Sequence, residues 1–169
     1  GYSGYRENYG YRGKSFIGSG ACCKEKITWI NSEIWGRAMI ELIVFDIDGV
    51  ITDGSVIIDL NGNEQKKVNM KDVDAIFELQ RRGFRLAAIT GEETNIVDYF
   101  EKRFPWEYFF KGSKTKSETL KQIEEATGIY RENICYVGDG KYDVEPLLYA
   151  GLGLCPRNAI DRAKAAADI

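Results

Sequence analysis

From Leu42 onward five short apolar runs recur: LIVF at 42–45, RLAAI at 85–89, YFF at 108–110, ICYV at 134–137 and LGL at 152–154. They lack the polar alternation of a half-exposed strand, so they suit parallel strands covered on both faces. Between them, residues 73–83, 93–103, 116–126, 143–150 and 159–167 carry apolar side chains at three- and four-residue spacing, as amphipathic crossover helices do. Repeated strand and helix units predict an α/β fold, a doubly wound parallel sheet. A chain of 169 residues has room for one such domain.

One connection is too long for a simple crossover. Between the first strand and the first helix lies GSVIIDLNGNEQKKVNM, where Asn61-Gly62 is a strong hairpin signal. A β-hairpin flap over residues 55–69 is expected there, with no large cap domain. Residues 1–20, GYSGYRENYGYRGKSFIGSG, show neither helical nor strand period. Residues 1–41 therefore read as an N-terminal extension, tail or linker, and 42–169 as the domain.

The sequence contains no histidine. That removes Ser/His/Asp and Cys/His catalysis, histidine-ligated zinc and phosphohistidine chemistry together. Any catalysis runs on carboxylates, lysine or a metal held by oxygen. A formal charge of −3 offers no broad basic surface, which argues against nucleic acid as a partner. No apolar run approaches the roughly 18 residues of a membrane span. The cysteines Cys22, Cys23, Cys135 and Cys155 form no C-x-x-C pair and read as free thiols in a reducing, cytoplasmic setting.

In an open parallel sheet ligands bind beyond the carboxyl ends of the strands. The residues to inspect there are Asp46, Thr90, Lys116 and Asp139. After LIVF come Asp46-Ile47-Asp48-Gly49-Val50, and in an extended segment side chains two apart point the same way, so both carboxylates could face one ligand. One could attack phosphorus while the other moves the leaving group's proton. An anionic nucleophile meeting an anionic phosphate needs a cation, and Mg²⁺ prefers oxygen ligands. Asp139, in Val137-Gly138-Asp139-Gly140, adds a carboxylate from another strand end. A single Asp after a strand is ordinarily a turn or cap residue, and the coincidence at several strand ends is what points to chemistry. An EF-hand at 46–53 is excluded because its fifth position is Val50. Thr90-Gly91 could bind a phosphate oxygen at a helix entry. Thr115-Lys116-Ser117-Glu118 reads as a capping box. Lys116 then sits at the positive helix end, where a cation is disfavoured unless an anion holds it. Lys111 and Lys114 compete for the same role.

In this order Asp46-Ile47-Asp48-Gly49-Val50, Ile89-Thr90-Gly91, Lys116, and Gly138-Asp139 with Asp143 resemble the four motifs of the haloacid dehalogenase superfamily of phosphatases. Asp48-Gly49-Val50-Ile51-Thr52-Asp53-Gly54, the hairpin and Asn69-Met70-Lys71-Asp72 resemble the 3-deoxy-D-manno-octulosonate 8-phosphate phosphatase subfamily, and also the phosphatase-like domain of acylneuraminate cytidylyltransferases. The resemblance implies Asp46 as nucleophile and metal ligand, Asp48 as acid/base and as a ligand through its backbone carbonyl, and Asp139 as carboxylate ligand of Mg²⁺. It implies Thr90, Gly91 and Lys116 as phosphate binders and Asp143 as the orienter of the metal shell.

The same resemblance implies a small phosphorylated sugar acid as substrate, a role in lipopolysaccharide biosynthesis and a homotetramer. Flap residues enclose the mouth of the site in that family, so Lys66, Lys67, Lys71 and Asp72 are expected to meet the substrate. The lysines could equally be a solvated edge that blocks strand pairing. Close relatives usually have Arg where this sequence has Glu92, a second Asp where it has Gly140, and Asp-Gly-x-Gly where it has Asp72-Val73-Asp74-Ala75. They also continue into a Gly-rich tail where this sequence stops at Ile169. The other reading is a non-catalytic oligomerisation module attached to a nucleotide-sugar enzyme.

Overall fold

The computed structural model of the protein describes residues 39–169, so the expectation of an N-terminal tail lies outside the described residues as far as residue 38. Ile40 is already buried in the core, and the Glu41 backbone bonds to Asn133 and Arg85.

The five apolar runs are five strands, residue for residue: β1 (Leu42–Phe45), β4 (Arg85–Ile89), β5 (Tyr108–Phe110), β6 (Ile134–Val137) and β7 (Leu152–Leu154). They form one parallel sheet in the order β5-β4-β1-β6-β7. Alternate residues of each strand enter different cores. Ile43, Phe45, Leu86 and Ala88 pack with Ile76 and Leu79 of α1 (Met70–Arg81) and Phe100 of α2 (Asn95–Arg103). Leu42, Val44, Ala87 and Ile89 pack with Leu120 and Ile123 of α3 (Lys116–Thr127), Leu147 of α4 (Val144–Tyr149) and Ala163 of α5 (Asp161–Ala166). Burial on both faces explains why the runs lack polar alternation. The sheet is thus doubly wound and lacks a large cap domain among the described residues.

Helix starts moved where caps decide them. α1 opens at Met70 instead of residue 73 because the Asn69 side chain accepts the Lys71 N–H at 3.0 Å. The stretch 143–150 divides into a 3₁₀ turn, Lys141–Asp143, and α4. The capping box at Thr115 does not form. Thr115 sits at φ −104°, ψ 65°, outside the extended region from which a side chain can cap, and only its carbonyl accepts the Glu118 N–H.

The flap is an antiparallel pair, β2 (Thr52–Ile58) with β3 (Glu64–Val68). Its loop runs over residues 59–63: the Asp59 N–H donates to the Asn63 carbonyl, the Asp59 carbonyl accepts the Gly62 N–H, and Gly62 takes φ +82°. Glycine closes such a turn because other residues are strained at positive φ.

After β1 the chain builds β4 and β5 on one side, then returns to add β6 and β7 on the other. The order therefore reverses between β1 and β6, where an open α/β sheet leaves a crevice beyond its strand ends. Asp46 and Asp139 leave the sheet at those two ends.

Candidate active site

The end of β1 is anchored by the Asp46 N–H, which donates to the Val137 carbonyl at 2.9 Å. The Asp46 carboxylate is buried, with one oxygen accepting the Ile47 N–H at 2.7 Å and the other 2.8 Å from Lys116 Nζ. Beyond it the strand ends: the Ile47 carbonyl accepts the N–H groups of Val50, Ile51 and Thr52, and Gly49 takes φ +80°. Asp48 therefore lies in a tight turn, not in an extended segment. The two-residue strand rule does not apply to it, because those N–H groups turn back on Ile47 instead of pairing with a neighbouring strand. Asp48 is held by the flap, with Lys66 Nζ 2.8 Å from both carboxylate oxygens.

Lys116 occupies the first position of α3 and is buried, bridging Asp46 Oδ2 and Asp143 Oδ1 at 2.8 Å each. Two carboxylates thus offset the helix end that disfavours a cation. The rival Lys111 pairs with Asp98 and Glu101.

Asp143 is also buried, and both its oxygens are committed. Oδ1 accepts Lys116 and the Tyr136 hydroxyl at 2.7 Å, while Oδ2 accepts the N–H groups of Asp139 at 3.1 Å and Gly140 at 2.8 Å. A carboxylate so saturated braces the site instead of offering free lone pairs. Burial alone would raise its pKa, but the Lys116 ammonium and these donors hold it below the usual carboxylate range.

Tyr136 was not singled out from the sequence. The available signal was a tyrosine inside a fully apolar strand, since a buried hydroxyl must find a partner. Gly138 is the reason the partner fits: a Cβ there would lie 2.4 Å from Asp143 Cβ and 2.8 Å from Tyr136 Cε1.

Oxygens of Asp46, Asp139 and Asp143 lie within 4.8 Å of one another. Burial raises the Asp46 carboxyl well above its ordinary range, with Lys116 pulling it down and Asp143 pushing it further up. Asp139 is raised by burial and by the Asp143 charge. Among the described residues no lysine or arginine pairs with Asp139. Three crowded carboxylates against one ammonium leave a deficit of positive charge, and an all-oxygen donor set suits a hard divalent ion such as Mg²⁺. With Asp143 committed elsewhere, Asp46 and Asp139 are the carboxylates able to hold that ion.

Gly49 makes room for this arrangement. A Cβ there would fall 2.0 Å from Asp139 Oδ2, in a backbone conformation already strained for other residues. Wild-type protein should melt higher in Mg²⁺, by roughly 2–3 kcal/mol of added stability at about 100 times the dissociation constant. Gly49→Ala should lose most of that gain in a thermal melt with and without the ion. An equal gain in both proteins would contradict the assignment of Asp139.

Thr90 directly follows β4, the neighbour of β1, and is buried, its backbone tied to Phe110 and Ser113. Its hydroxyl accepts the Glu92 N–H at 3.2 Å, leaving the hydroxyl proton for another acceptor. Gly91 follows, half-buried, and Glu92 is exposed. Lys71 is exposed on the first turn of α1, and Asp72 lines a cleft of about 430 Å³ at the flap base with Ile51, Thr52, Lys67 and Asn69. That cleft adjoins the site through Thr52, whose hydroxyl lies 3.4 Å from Asp48 Oδ1.

The haloacid dehalogenase-like hydrolase family matches residues 99–169. A probable YrbI family phosphatase from Pseudomonas syringae is 32% identical, with 79% of this chain and 75% of that one covered and a TM-score of 0.74. The 3-deoxy-D-manno-octulosonate 8-phosphate phosphatase of Moraxella catarrhalis, solved with magnesium, phosphate and KDO, is 29% identical, with 81% and 79% covered and a TM-score of 0.75. The Escherichia coli enzyme of the same name is 27% identical over 131 residues, 77% of this chain and 70% of that protein. An N-acylneuraminate cytidylyltransferase from Oncorhynchus mykiss is 29% identical over 125 residues, 72% of this chain but only 29% of that protein. With the parallel sheet, the hairpin and the carboxylates in this arrangement, the chain belongs to the haloacid dehalogenase-like hydrolases and, within them, to the phosphoric monoester hydrolases.

Proposed function

We propose that the chain is a Mg²⁺-dependent phosphatase that hydrolyses a small phosphorylated sugar acid, 3-deoxy-D-manno-octulosonate 8-phosphate or a related 2-keto-3-deoxy sugar acid phosphate, through an aspartyl-phosphate on Asp46. The observation that carries this reading is the buried Lys116 bridge between Asp46 and Asp143 at the strand-order reversal. A surface turn has no use for a buried lysine and three carboxylates, whereas a phosphoryl group in transit needs that mixture of nucleophile and cation.

In this mechanism an Asp46 oxygen attacks phosphorus while the bond to the ester oxygen breaks. Asp48 gives its proton to that oxygen, and the sugar acid leaves as an alcohol. Asp48, now a carboxylate, then takes a proton from water. The water oxygen attacks phosphorus, the acyl-phosphate bond breaks, and Asp46 is regenerated with release of orthophosphate. Lys116 and the Thr90 hydroxyl hold phosphoryl oxygens, with Gly91 leaving backbone room beside them. Asp46, Asp139 and the Asp48 carbonyl would hold a magnesium ion, which would offset phosphoryl charge, while Asp143 braces the loop.

The names of the Moraxella and Escherichia relatives support the substrate class. The cytidylyltransferase similarity favours a second reading, a non-catalytic oligomerisation module. The charge balance around Lys116 weighs against it, since a silent module has no need of Asp46, Asp48, Lys116 and Asp139 together. Orthophosphate release from a panel of 2-keto-3-deoxy sugar acid phosphates, in Mg²⁺ and then in excess chelator, separates the two. Turnover abolished by the chelator is expected, and no release from any member would leave the silent module.

The reading carries a homo-oligomer with it, most simply a tetramer. Val56, Ile57, Ile58 and Leu60 of the flap are exposed, and an isolated two-stranded hairpin is marginal in water. Light scattering on the purified chain should report a tetramer, and a strict monomer at micromolar concentration would rule out a shared flap. No helix among the described residues is long and apolar enough to cross a membrane. A cytoplasmic location belongs to the same reading, in keeping with the free, buried thiol of Cys135.

A further inference from the structure

Lys66 behaves unlike the other flap lysines. Lys67 on β3 is exposed, as an edge-guarding lysine is, and so is Lys71 on the first turn of α1. The Lys66 side chain is only 2% exposed and crosses from β3 to grip Asp48, with Nζ 2.8 Å from Oδ1 and 2.8 Å from Oδ2. The Asp48 side chain is itself one-third open to solvent, and its other contact, from the Thr52 hydroxyl, is long at 3.4 Å. A solvated lysine would keep its head in water. Burying the stem to chelate one carboxylate from a flexible-length side chain costs rotamer entropy, and the result is a carboxylate plane fixed by the flap.

We propose that Lys66 is a positioning residue for phosphoryl transfer that acts through Asp48 and does not read the sugar. This rests on the reading above, in which Asp48 supplies the leaving group's proton. As the phosphorus–oxygen bond breaks and the bond to Asp46 forms, one Asp48 oxygen hands its proton to the ester oxygen. Lys66, which reaches both oxygens here, stays on the one that carries no proton and meets both again once Asp48 acquires its negative charge. The flap therefore contributes to chemistry whatever alcohol is attached to the phosphate. A loss of Lys66 lets Asp48 turn toward solvent, and the penalty grows with the leaving oxygen's need for a proton.

The test is a leaving-group series in Mg²⁺: p-nitrophenyl phosphate, phenyl phosphate, glycerol 3-phosphate and 3-deoxy-D-manno-octulosonate 8-phosphate. Lys66→Met keeps the buried stem and removes the ammonium, and a thermal melt verifies that it folds. Its kcat/KM should fall by about 10²-fold for both alkyl esters and by less than about threefold for p-nitrophenyl phosphate, whose phenolate leaves unprotonated. Lys66→Arg, which restores the cation, should recover part of the alkyl-ester rate. A uniform loss across the series, no loss, or a loss confined to the sugar acid with glycerol 3-phosphate spared would each overturn the inference. If wild-type protein hydrolyses none of the four, the phosphatase reading falls with it; wild-type turnover with a flat Lys66→Met response overturns the Lys66 inference alone.

Discussion

Asp46→Asn should abolish phosphatase turnover, by at least about 10⁴-fold in kcat, without lowering the thermal midpoint. The first part follows from the proposed chemistry, since an amide nitrogen or oxygen cannot replace a carboxylate as nucleophile. The second follows from electrostatics. Asp46 is 6% exposed and crowded by Asp143, and burial is the main cause of its raised pKa. The folded state therefore disfavours the charge that Asn removes, and the backbone bond to Val137 does not depend on the side chain. Steady-state kinetics beside a melting curve checks both halves. Full activity would remove Asp46 from the mechanism, and a collapsed midpoint would make the loss of turnover a folding effect.

Lys116→Met has the opposite signature, with stability and activity lost together. Lys116 is 4% exposed and is the one cation that meets both Asp46 and Asp143 among the described residues. Taking it away leaves two buried carboxylates facing each other. Breaking a buried pair on one side typically costs about 3–5 kcal/mol, which in a domain of this size lowers the melting midpoint by roughly 10 °C. Turnover should fall by about 10²–10³-fold as the phosphoryl group loses its fixed cation. Saturating Mg²⁺ should restore part of the midpoint, because it replaces some of the missing positive charge, but little of the turnover. A wild-type midpoint in Lys116→Met would show that the three-residue bridge does not hold this end of the sheet together.

The strands were legible because burial on both faces leaves an unmistakable trace in the sequence. LIVF, RLAAI, YFF, ICYV and LGL are β1, β4, β5, β6 and β7 with the same ends. Asp46 and Asp139 were legible because residues that directly follow such runs arrive at one edge of a parallel sheet. Helix starts were less so: Asn69 moved α1 by three residues through a single side-chain bond, while Thr115 failed to cap α3. The Asp48 environment was hidden for another reason. Its partner is 18 residues away across a hairpin, and neither the register of β2 on β3 nor the turn at Gly49 can be read from local periodicity. Tyr136 and Gly138 were hidden because their contribution depends on one hydroxyl and one missing Cβ meeting Asp143 in space.

In the proposed mechanism Asp46 carries the phosphoryl group. Rapid acid quenching of wild-type protein during turnover of 3-deoxy-D-manno-octulosonate 8-phosphate in Mg²⁺, followed by peptide mass spectrometry, measures this directly. A phosphoryl group is expected on the peptide that contains Asp46, lost on hydroxylamine treatment and absent from Asp46→Asn. Phosphate released at full rate with no phosphorylated peptide, or with the phosphoryl group on another residue, would contradict it.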